Sequence, residues 1–535
     1  MTSRTGPTSM PVNANDLIDV LRSPEAYPHD PESVQVKQTH ASWVFLVDAY
    51  VYKIKKPVSL GFLDFSTLEK RKHFCEQEVR LNRRLCPDLY LGVVPISRSK
   101  DGYVLEDDRD IVEYAVKMRR LDGGAFAVDL VDEERLETSD LDRVVDVLAA
   151  FYDEETPSPE MAAWGRPDRL ALSTDENFEQ TLDFTGMLLS PPAFHTIQTY
   201  TDGFLDAHVR HFNERRAGGH ILDCHGDLHL EHVYLKPDGV CIYDCIEFNE
   251  RFRTIDVASD VAFLAMDLDV HGRPDLSMYF GERMADRLSD PDLLRLLDFY
   301  KCYRAVVRAK VEGMRSLDEN VDEVEQTHSA ERARSYFRLA LRYATGGSQP
   351  LVLVVMGGVG TGKSTLAGQL GEALGCDVVS SDRVRKDLAG VDPYYRGSAD
   401  ERAALYSDER TEETYRTLSQ RATDAVHVGR GIILDATYSH RTYRDDLRAA
   451  LQKAGASYQF IEVTASGETV KERLAERAAA ATSVSDARLE DFETLRRRYE
   501  APDELEDACH VRVPSDDPGA SPLESALSYL RRFDF

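Results

Sequence analysis

The sequence predicts two domains: an α+β bilobal domain, followed by an α/β domain with a parallel sheet flanked by helices. A chain of 535 residues is too long for one ordinary hydrophobic core. Strand patterns and one helix fill the chain to about residue 121, and the pattern is then mostly helical to Tyr343. After the turn-rich string TGGSQP, a continuous apolar strand leads directly into a glycine-rich loop, an order typical of α/β domains.

Changes in pattern along the chain set the predicted boundaries. The predicted segments are a flexible tail over 1–15, a first domain over 16–344 with a small lobe at about 16–121 and a helical lobe at about 122–344, a linker over 345–350, and a second domain over 351–535. The sequence has no evident internal repeat, and the two glycine-containing motifs described below share no pattern. We therefore interpret the chain as a fusion rather than a duplication.

The small lobe is predicted from four segments. ASWVFLVDAYVYKIKK predicts two strands joined by a turn at Asp48-Ala49. STLEKRKHFCEQEVRLNRRL has helical spacing, and Ser66 or Thr67 is positioned to cap its start. GVVPISRSKDGYVL and DIVEYAVKMRRL predict further strands. These elements together indicate a small sheet with one helix.

Composition indicates a soluble globular protein in a cytoplasmic compartment. Hydrophobic residues make up 42% and charged residues 30% of the chain. No apolar run approaches the roughly 18 residues of a membrane span, and the first residues lack the apolar core of a secretory signal. The eight cysteines are scattered without zinc-site spacing, so all are expected to stay reduced.

The formal net charge of −29 restricts the partners that the chain could bind. Arginine greatly outnumbers lysine, and an acidic, lysine-poor surface favours a salt-adapted, halophilic cytoplasm over a basic partner. A broad surface that follows long nucleic acid is disfavoured, because such proteins normally have a basic stripe. A short nucleic-acid end held in a local pocket remains compatible with this charge.

The clearest motif is GGVGTGKS, which fits the pattern G-x-x-x-x-G-K-[ST]. Its glycines let backbone N–H groups turn inward around phosphate oxygens, and the following helix adds its positive end. Lys363 is predicted to reach the β and γ phosphates of ATP, and the Ser364 hydroxyl to hold Mg²⁺. The predicted nucleotide-binding residues of this loop are Gly357, Gly358, Val359, Gly360, Thr361, Gly362, Lys363, Ser364 and Thr365.

Polar residues follow two further strands of the second domain. CDVVSSDRVRKDL predicts a strand that ends at Asp382, with Arg385 one helical turn onward, and GIILDAT predicts a strand that ends at Asp435. Carboxylates at strand ends face the ligand crevice of a parallel sheet, where one can assist Mg²⁺ and another can accept a proton. Arg473 and Arg477 lie at i,i+4 on a helix that either closes over phosphate or presents a solvated face.

These residues resemble the P-loop kinase group that includes gluconate kinase, zeta toxins, chloramphenicol phosphotransferase and polynucleotide 5′-kinase. The resemblance covers Leu351 to about Tyr499. It implies ATP-dependent phosphoryl transfer to a hydroxyl, with Asp382 as the general base and Arg385 as a clamp on substrate or phosphate. It does not identify the acceptor.

The second motif is CHGDLHLEHVYL, which begins at Cys224. A kinase catalytic loop needs a carboxylate beside the acceptor hydroxyl and a metal ligand about five residues later, and Asp227 and position 232 have this spacing. His232 replaces the usual asparagine: it could ligate Mg²⁺ or Mn²⁺, or hydrogen-bond Asp227 and leave the metal to Asp244, or mark a lobe that binds without catalysis. Asp244 or Glu247 is the predicted second metal carboxylate, on a hairpin.

The small lobe offers partners for this motif. VYKIKK contains Lys53 and Lys55, either of which could contact phosphate, because both lie on one face of the strand. Glu78 in the following helix is predicted to pair with that lysine. Met118 lies where the last strand leaves the lobe, at the expected adenine hinge.

This succession resembles the aminoglycoside phosphotransferase family, a branch of the protein-kinase-like fold, from about Thr39 to Tyr343. The resemblance implies a bilobal protein-kinase-like first domain that binds ATP. The sequence departs from the family at His232 and in its small lobe, which has no evident glycine-rich phosphate loop.

The leading hypothesis is a bifunctional ATP-dependent phosphotransferase with two nucleotide sites and a small-molecule hydroxyl acceptor. The first alternative is a polynucleotide 5′-hydroxyl kinase with an auxiliary first domain. The second is a regulatory ATPase whose first domain binds a ligand without catalysis. The sequence predicts no oligomeric state.

Overall fold

The computed structural model describes residues 14–100, 102–237, 239–395, 397–479 and 488–532. By its internal contacts, the chain forms two compact units. The first contains Met1–Arg169 and Arg210–Leu294, and the second contains Leu170–Val209 and Arg295–Phe535. The predicted flexible tail lies outside the described residues, apart from its last two positions.

The beginning of the first unit is a six-stranded antiparallel sheet. Its elements are α1 (Ala14–Leu21), β1 (Val34–Gln38), β2 (Ser42–Val47), β3 (Tyr50–Lys55), α2 (Leu68–Asn82), β4 (Tyr90–Ser99), β5 (Gly102–Leu105) and β6 (Ile111–Arg119). The strand order is β1-β2-β3-β6-β4-β5. The four segments predicted for the small lobe form the strands and the helix expected of them. The turn at Asp48-Ala49 is also confirmed, with Asp48 at φ 47°.

The two faces of this sheet are covered differently. Leu17 and Leu21 of α1 pack with Phe45 on one face, whereas Val79 of α2 packs with Val116 on the other. Helix α2 begins after Thr67, whose hydroxyl accepts the Lys70 N–H at 3.3 Å. Apolar packing against β4 and β6 fixes the position of α2, and with it the position of any side chain that α2 directs inward.

Helices dominate the middle of the chain, as the sequence predicts. They are α3 (Ala127–Asp132), α4 (Thr138–Glu154), α5 (Pro159–Trp164), α6 (Pro167–Thr181), α7 (Pro191–Ala207), α8 (Val209–Ala217), α9 (Val257–Val270), α10 (Pro274–Arg287), α11 (Asp292–Ser316) and α12 (Glu323–Gly346). Two short antiparallel pairs interrupt them: β7 (Ile221–Asp223) with β10 (Thr254–Asp256), and β8 (Val233–Lys236) with β9 (Gly239–Ile242). Single 3₁₀ turns occur at Pro24–Ala26, Leu182–Phe184, Leu230–His232, Glu250–Phe252 and Leu489–Asp491.

The rest of the second unit is built on a five-stranded parallel sheet in the order β12-β13-β11-β14-β15. Its elements are β11 (Leu351–Met356), α13 (Lys363–Leu374), β12 (Asp377–Ser380), α14 (Ser381–Leu388), α15 (Ala399–Leu405), α16 (Asp408–His427), β13 (Ile432–Asp435), α17 (Arg441–Lys453), β14 (Ser457–Thr464), α18 (Gly467–Ala479), α19 (Phe492–Arg498), β15 (His510–Pro514) and α20 (Pro522–Leu530). The predicted α/β architecture is confirmed. One boundary is corrected: β12 ends at Ser380, so Asp382 lies in the first turn of α14.

The predicted linker over 345–350 is short and held by side chains of its own unit. Helix α12 reaches Gly346, and the Ser348 N–H donates to the Asp298 carboxylate at 3.1 Å. Lys301 Nζ donates to the Ser348 hydroxyl at 3.0 Å. The helical segments 170–209 and 295–346 belong to the second unit together with the parallel sheet. The predicted domain boundary itself stays a prediction.

The expectation that all eight cysteines are reduced is wrong for one pair. Cys86 and Cys241 form a disulfide, with their Cα atoms 4.9 Å apart although 155 positions separate them in sequence. Packing of β9 near the end of α2 brings them together, and residue spacing does not reveal such a contact. The other six cysteines are free thiols.

Among the described residues, no helix combines the length and apolar character needed to cross a membrane.

Glu462 on β14 is a buried carboxylate of the parallel sheet with three partners. The Tyr499 hydroxyl donates to it at 2.9 Å and Arg512 Nε at 2.7 Å, and His510 Nε2 lies 3.3 Å away. Burial raises the pKa of Glu462, but the nearby His510 and the hydrogen bonds from Arg512 and Tyr499 outweigh it and lower the pKa from 4.5 to about 2. Glu462 therefore stabilises the folded state in its ionised form.

We expect Glu462→Gln to cost about 2 kcal/mol of local stability at neutral pH, because charge-assisted hydrogen bonds are lost. The pKa is lower in the folded chain than in the unfolded chain, so this contribution is complete above about pH 4.5 and disappears as the pH falls toward 2. Native-state amide hydrogen exchange of β14 measures the difference between wild type and variant, which should shrink from about pH 5 to about pH 3. A difference that stays constant over this range would contradict the assignment.

Candidate functional site

The loop between β11 and α13 has the backbone shape that its glycines predict. Gly357, Gly360 and Gly362 have φ values of 134°, 76° and 100°, which lie in the region that favours glycine. A Cβ atom on Gly357 would lie 2.3 Å from the Val463 carbonyl oxygen. The loop can therefore follow this tight path only with glycine at position 357.

Two side chains of the loop donate hydrogen bonds to the loop's own backbone. The Thr361 hydroxyl and Lys363 Nζ both donate to the Gly358 carbonyl, at 2.9 and 2.7 Å. Val359 packs beside the buried Val470 of α18. Lys363 is the first residue of α13, and Ser364 follows it on the exposed side of the helix start. The nine predicted residues from Gly357 to Thr365 thus form one loop and the first turn of α13.

The register of the parallel strands brings two predicted carboxylates to the same edge of the sheet. Asp435 pairs with Val355 on one side and with Ser380 on the other, and adjacent strands are about 4.8 Å apart. Asp435 is buried at the end of β13. Asp382, two residues beyond Ser380, accepts the Tyr406 hydroxyl at 3.2 Å. The glycine loop follows β11 at this same edge.

The oxygen donors at this edge fit a magnesium ion. Asp435 offers a buried carboxylate at a strand end, and Ser364 offers a hydroxyl in the first turn of α13. Mg²⁺ prefers hard oxygen ligands of these types. The two residues predicted to hold Mg²⁺ are therefore chemically suited to it.

Arg385 is buried among groups of its own unit. Its Nη1 donates to the Leu405 carbonyl at 3.2 Å and to the Thr411 hydroxyl at 3.0 Å, and its guanidinium lies 4.6 Å from the Tyr406 ring centre. Among the described residues, Arg385 Nε has no hydrogen-bond partner. Arg385 thus holds the segment that carries Tyr406, and its predicted role as a clamp stays a prediction.

Arg473 of α18 binds the outside of the glycine loop. Its Nη1 donates to the Thr361 carbonyl at 3.1 Å and to the Ser515 hydroxyl at 2.8 Å. A cavity of about 540 Å³ opens beside this contact. Its lining includes Gly362, Thr365, Leu366, Gln369, Arg473 and Ser515. The other predicted arginine, Arg477, lies in α18, but its side chain is outside the described part of the chain.

The predicted catalytic loop of the first unit is held by buried carboxylates of α9. The N–H groups of His225 and Gly226 donate to Asp260, each at 2.9 Å, and the Leu230 N–H donates to Asp267 at 2.9 Å. Gly226 has φ 85°, and a Cβ atom there would lie 2.7 Å from the Phe252 carbonyl oxygen. The loop therefore has one fixed path.

Asp227, His232 and Asp244 come together at the end of this loop. His232 Nε2 lies 3.6 Å from Asp244 Oδ2, and His232 Nδ1 lies 2.9 Å from the backbone carbonyl of Asp227. The shorter contact of His232 is thus with the backbone carbonyl of Asp227. The carboxylate oxygen Oδ2 of Asp227 lies 3.8 Å from His232 Nδ1. Burial, together with the neighbouring His229, lowers the pKa of His232 to about 4, which keeps the imidazole neutral at pH 7. Asp244 has φ 63°, an uncommon conformation for a non-glycine residue.

Both candidate lysines of β3 reach the same glutamate. Lys53 Nζ lies 2.9 Å from Glu78 and 2.6 Å from Asp244, whereas Lys55 Nζ lies 2.7 Å from Glu78 and also pairs with Glu247. Burial raises the pKa of Asp244, but Lys53 and His232 outweigh it and hold that pKa below its usual range. Lys55 is 1% exposed and Lys53 is 15% exposed, so Lys53 is the more accessible of the two to a ligand.

Met118 is the penultimate residue of β6, opposite Val51 and Tyr90. Met118 and Leu121, where the chain leaves the sheet, both pack against the same buried apolar cluster. This position is compatible with the predicted adenine hinge.

One family model matches the C-terminal part of the chain, and one relative matches most of its length. The family described as an AAA domain matches residues 352–502. The protein Rv2004c of Mycobacterium tuberculosis (strain H37Rv), described as uncharacterized, is 31% identical over 451 residues, which cover 84% of this chain and 87% of that protein. The chain belongs to the family of this mycobacterial protein.

Two solved structures illustrate more distant likenesses. A gluconokinase from Sinorhizobium meliloti is 20% identical, with 34% of this chain and 91% of that chain covered and a TM-score of 0.25. A choline kinase from Cryptosporidium parvum is 10% identical, with 62% of this chain and 95% of that chain covered and a TM-score of 0.36. The function proposed below rests on the residues of this chain.

Sequence reasoning missed the roles of three residues at the N-terminal site. Asp260 and Asp267 hold the loop through its backbone N–H groups, and His229 lies 3.6 Å from the Asp227 carboxylate. The acids in the otherwise apolar helix VASDVAFLAMDLDV are a usable signal, because a buried carboxylate needs donors. His229 gave a weaker signal, since its spacing from Asp227 and His232 in an irregular loop does not fix where its ring lies.

Proposed function

We propose that this protein is an ATP-dependent phosphotransferase, and that its C-terminal site transfers the γ-phosphate to a hydroxyl group of a small molecule. The observation that supports this most is the shared edge of the parallel sheet. The glycine loop with Lys363 follows β11, buried Asp435 ends β13, and Asp382 follows β12. This edge combines a phosphate cradle, a metal carboxylate and a candidate base.

The loop and the start of α13 bind the phosphates in this mechanism. Inward backbone N–H groups and the positive end of α13 attract the phosphate oxygens. Lys363 Nζ, which donates to the Gly358 carbonyl, exchanges this bond for the β and γ phosphates when ATP binds. Ser364 and Asp435 would hold Mg²⁺, which neutralises phosphate charge when bound.

Asp382 acts as the base toward the acceptor hydroxyl. Its carboxylate lies at the start of α14, where the Tyr406 hydroxyl donates to it and limits its orientation. A carboxylate fixed in this way can accept the proton of the hydroxyl as that oxygen attacks the γ-phosphate. Arg385, whose guanidinium lies against the Tyr406 ring, is a positioning residue for Tyr406 in this scheme.

The cavity beside Arg473 receives the nucleoside. It borders Gly362 and the first turns of α13, next to the loop that binds the phosphates. Arg473 fixes the loop at Thr361 and also lines the cavity, so it joins the phosphate and nucleoside parts of the site.

The N-terminal site is a second nucleotide site in this proposal, which makes the protein bifunctional. Lys53 binds both Glu78 and Asp244, and Asp227 lies on a loop fixed from α9. A phosphate-contacting lysine, its glutamate and two carboxylates beside an acceptor are what a kinase-like site requires. A small-molecule acceptor is favoured over nucleic acid for both sites, because the net charge of −29 repels a polyanion.

Transfer of labelled γ-phosphate from ATP tests the proposed function. Sugars, nucleosides, amino alcohols and a 5′-hydroxyl oligonucleotide serve as acceptors, in Mg²⁺ and high KCl. We expect Asp382→Asn to lower transfer by about 100-fold at unchanged nucleotide affinity, since it removes the base and leaves the phosphate site intact.

Asp387→Asn is the matched control, because Asp387 lies on the same helix with an exposed side chain. It should transfer phosphate at the wild-type rate. Hydrolysis of ATP without labelling of any acceptor would contradict the proposal and favour a regulatory ATPase. Labelling of the oligonucleotide alone would contradict the small-molecule acceptor.

A further inference from the structure

We propose that Asp227, His229, His232 and Asp244 form a binding site for a divalent transition-metal ion of the Zn²⁺ type, in place of the magnesium site that a kinase would have there. One ligand atom from each of Asp227, His229 and His232 lies within 4.8 Å of the others. Asp244 extends this group, with Oδ2 at 3.6 Å from His232 Nε2. Two imidazoles and two carboxylates are a donor set that Zn²⁺ accepts readily.

Two of the separations between donors are close to those around a tetrahedral ion. His229 Nε2 lies 3.6 Å from Asp227 Oδ2, and His232 Nε2 lies 3.6 Å from Asp244 Oδ2. Both distances are too long for a hydrogen bond. Two donors each about 2.1 Å from a tetrahedral ion lie roughly 3.4 Å apart. These two contacts would close onto one ion with shifts of a few tenths of an ångström, whereas the rings of His229 and His232, whose centres are 3.9 Å apart, would have to turn away from each other.

Two of these ligands, His232 and Asp244, are already oriented by protein groups at their other polar atom. His232 Nδ1 is positioned to donate to the Asp227 carbonyl at 2.9 Å, which directs Nε2 toward Asp244. Asp244 binds Lys53 through Oδ1 at 2.6 Å, which leaves Oδ2 on the His232 side. Such contacts fix the ligands before the ion arrives and reduce the cost of ordering them.

The loop that holds three of the four ligands is rigid and open on one side. Asp260 and Asp267 bind its backbone N–H groups, and His229 is buried against Phe263 of α9. The side chains of Asp227 and Asp244 remain 33% and 37% exposed. The ion would enter past these two carboxylates, and its positive charge would offset theirs.

A bound metal ion would prevent Asp227 from acting as a general base. The same Asp227 oxygen, Oδ2, faces both imidazoles. An ion bound there engages the carboxylate that would otherwise accept a proton from a hydroxyl. This consequence rests on the proposed function of the N-terminal site, whereas the metal site itself does not.

Titration of the metal-stripped, full-length chain with Co²⁺, followed by competition with Zn²⁺ and Mg²⁺, tests the site without ATP. We expect one equivalent of Co²⁺ with the visible absorption of a tetrahedral complex, displaced by Zn²⁺ but not by millimolar Mg²⁺. His229→Gln and His232→Asn should each weaken binding by about 100-fold or more, as loss of a direct ligand costs at least as much as loss of its supporting contact.

His427→Gln, at an exposed position at the end of α16, is the control and should bind like wild type. Because His229 is buried, the folded state of each variant is checked by thermal unfolding, and the partly exposed His232→Asn provides the second variant. Equal Co²⁺ binding by wild type and both site variants would overturn the proposal, as would displacement by Mg²⁺ at the concentration at which Zn²⁺ displaces. Either result leaves the phosphotransferase proposal for the C-terminal site unaffected.

Discussion

Lys363→Ala should reduce γ-phosphate transfer at the C-terminal site by about 1,000-fold, the largest catalytic effect that we expect from one substitution. Lys363 is the cation of the loop between β11 and α13, and its Nζ lies 2.7 Å from the Gly358 carbonyl in the middle of that loop. Removing one preorganised donor to developing charge costs about 10²–10³ in rate, and here the lost donor also bears a full charge.

The fold should tolerate this change. Lys363 is the first residue of α13 and its side chain is partly exposed, so alanine at this position retains the helix. The measurement is labelled phosphate transfer at saturating acceptor, together with nucleotide affinity by calorimetry. Lys453→Ala, at an exposed position in the last turn of α17, is the matched control and should behave as wild type.

The two nucleotide sites can be separated with the same assay. Asp227→Asn changes the N-terminal site and leaves every residue of the glycine loop in place. If Lys363→Ala retains more than about a tenth of the wild-type transfer to every acceptor, the C-terminal loop is not the transferring site. Transfer that is lost in Asp227→Asn and kept in Lys363→Ala would assign the reaction to the N-terminal site.

Lys55→Met should destabilise the first unit by about 3–5 kcal/mol, the largest effect on stability that we expect. Lys55 is 1% exposed and pairs with Glu78, which is fully buried, and with Glu247, which is 8% exposed. Removing one partner of a buried ion pair leaves carboxylate charge uncompensated, which typically costs this amount. Burial already raises the pKa of Glu247, which indicates how strongly its ionised form depends on Lys55.

Urea unfolding followed by tryptophan fluorescence measures this loss in the first unit. The chain contains two tryptophans, Trp43 and Trp164, and both belong to that unit. Trp43 on β2 pairs with Ile54 on β3, so its emission reports the strand that contains Lys55. The signal therefore does not require the two units to unfold together.

Two further variants sharpen the result. Lys37→Met changes an exposed lysine of β1 and should leave the midpoint of unfolding nearly unchanged. Lys53→Met should cost less stability than Lys55→Met, because Glu78 retains Lys55, but it should weaken nucleotide binding at the N-terminal site. Equal stability of the Lys55→Met and Lys37→Met variants would contradict the importance of the buried ion pairs.

The sequence by itself determined the features that depend on local spacing. The strand before the glycine loop, the loop itself and the helix after it are contiguous, so residue order fixes their chemistry. The same holds for the turn at Asp48-Ala49 and for the cap of α2 at Thr67. Alternating strands and helices along the chain predict parallel strands, whose carboxyl ends lie at one edge of the sheet. Asp435 could therefore be predicted at the same edge as the glycine loop.

Only the tertiary structure decided which distant side chains meet. Lys53 and Lys55 share a strand face, and in the folded chain both reach Glu78 on α2. Asp244 pairs with Lys53, whereas Glu247 pairs with Lys55. The Cys86–Cys241 disulfide joins residues 155 positions apart in the same way.

His229 demonstrates the limit of sequence reasoning most directly. Its contact with Asp227 depends on the turn at Gly226 and on the two α9 carboxylates that hold the loop. Periodicity along the chain records which face of an element is apolar, but it does not record the path of an irregular loop. That path is set by long-range hydrogen bonds, so the group of imidazoles and carboxylates becomes visible only when the chain is folded.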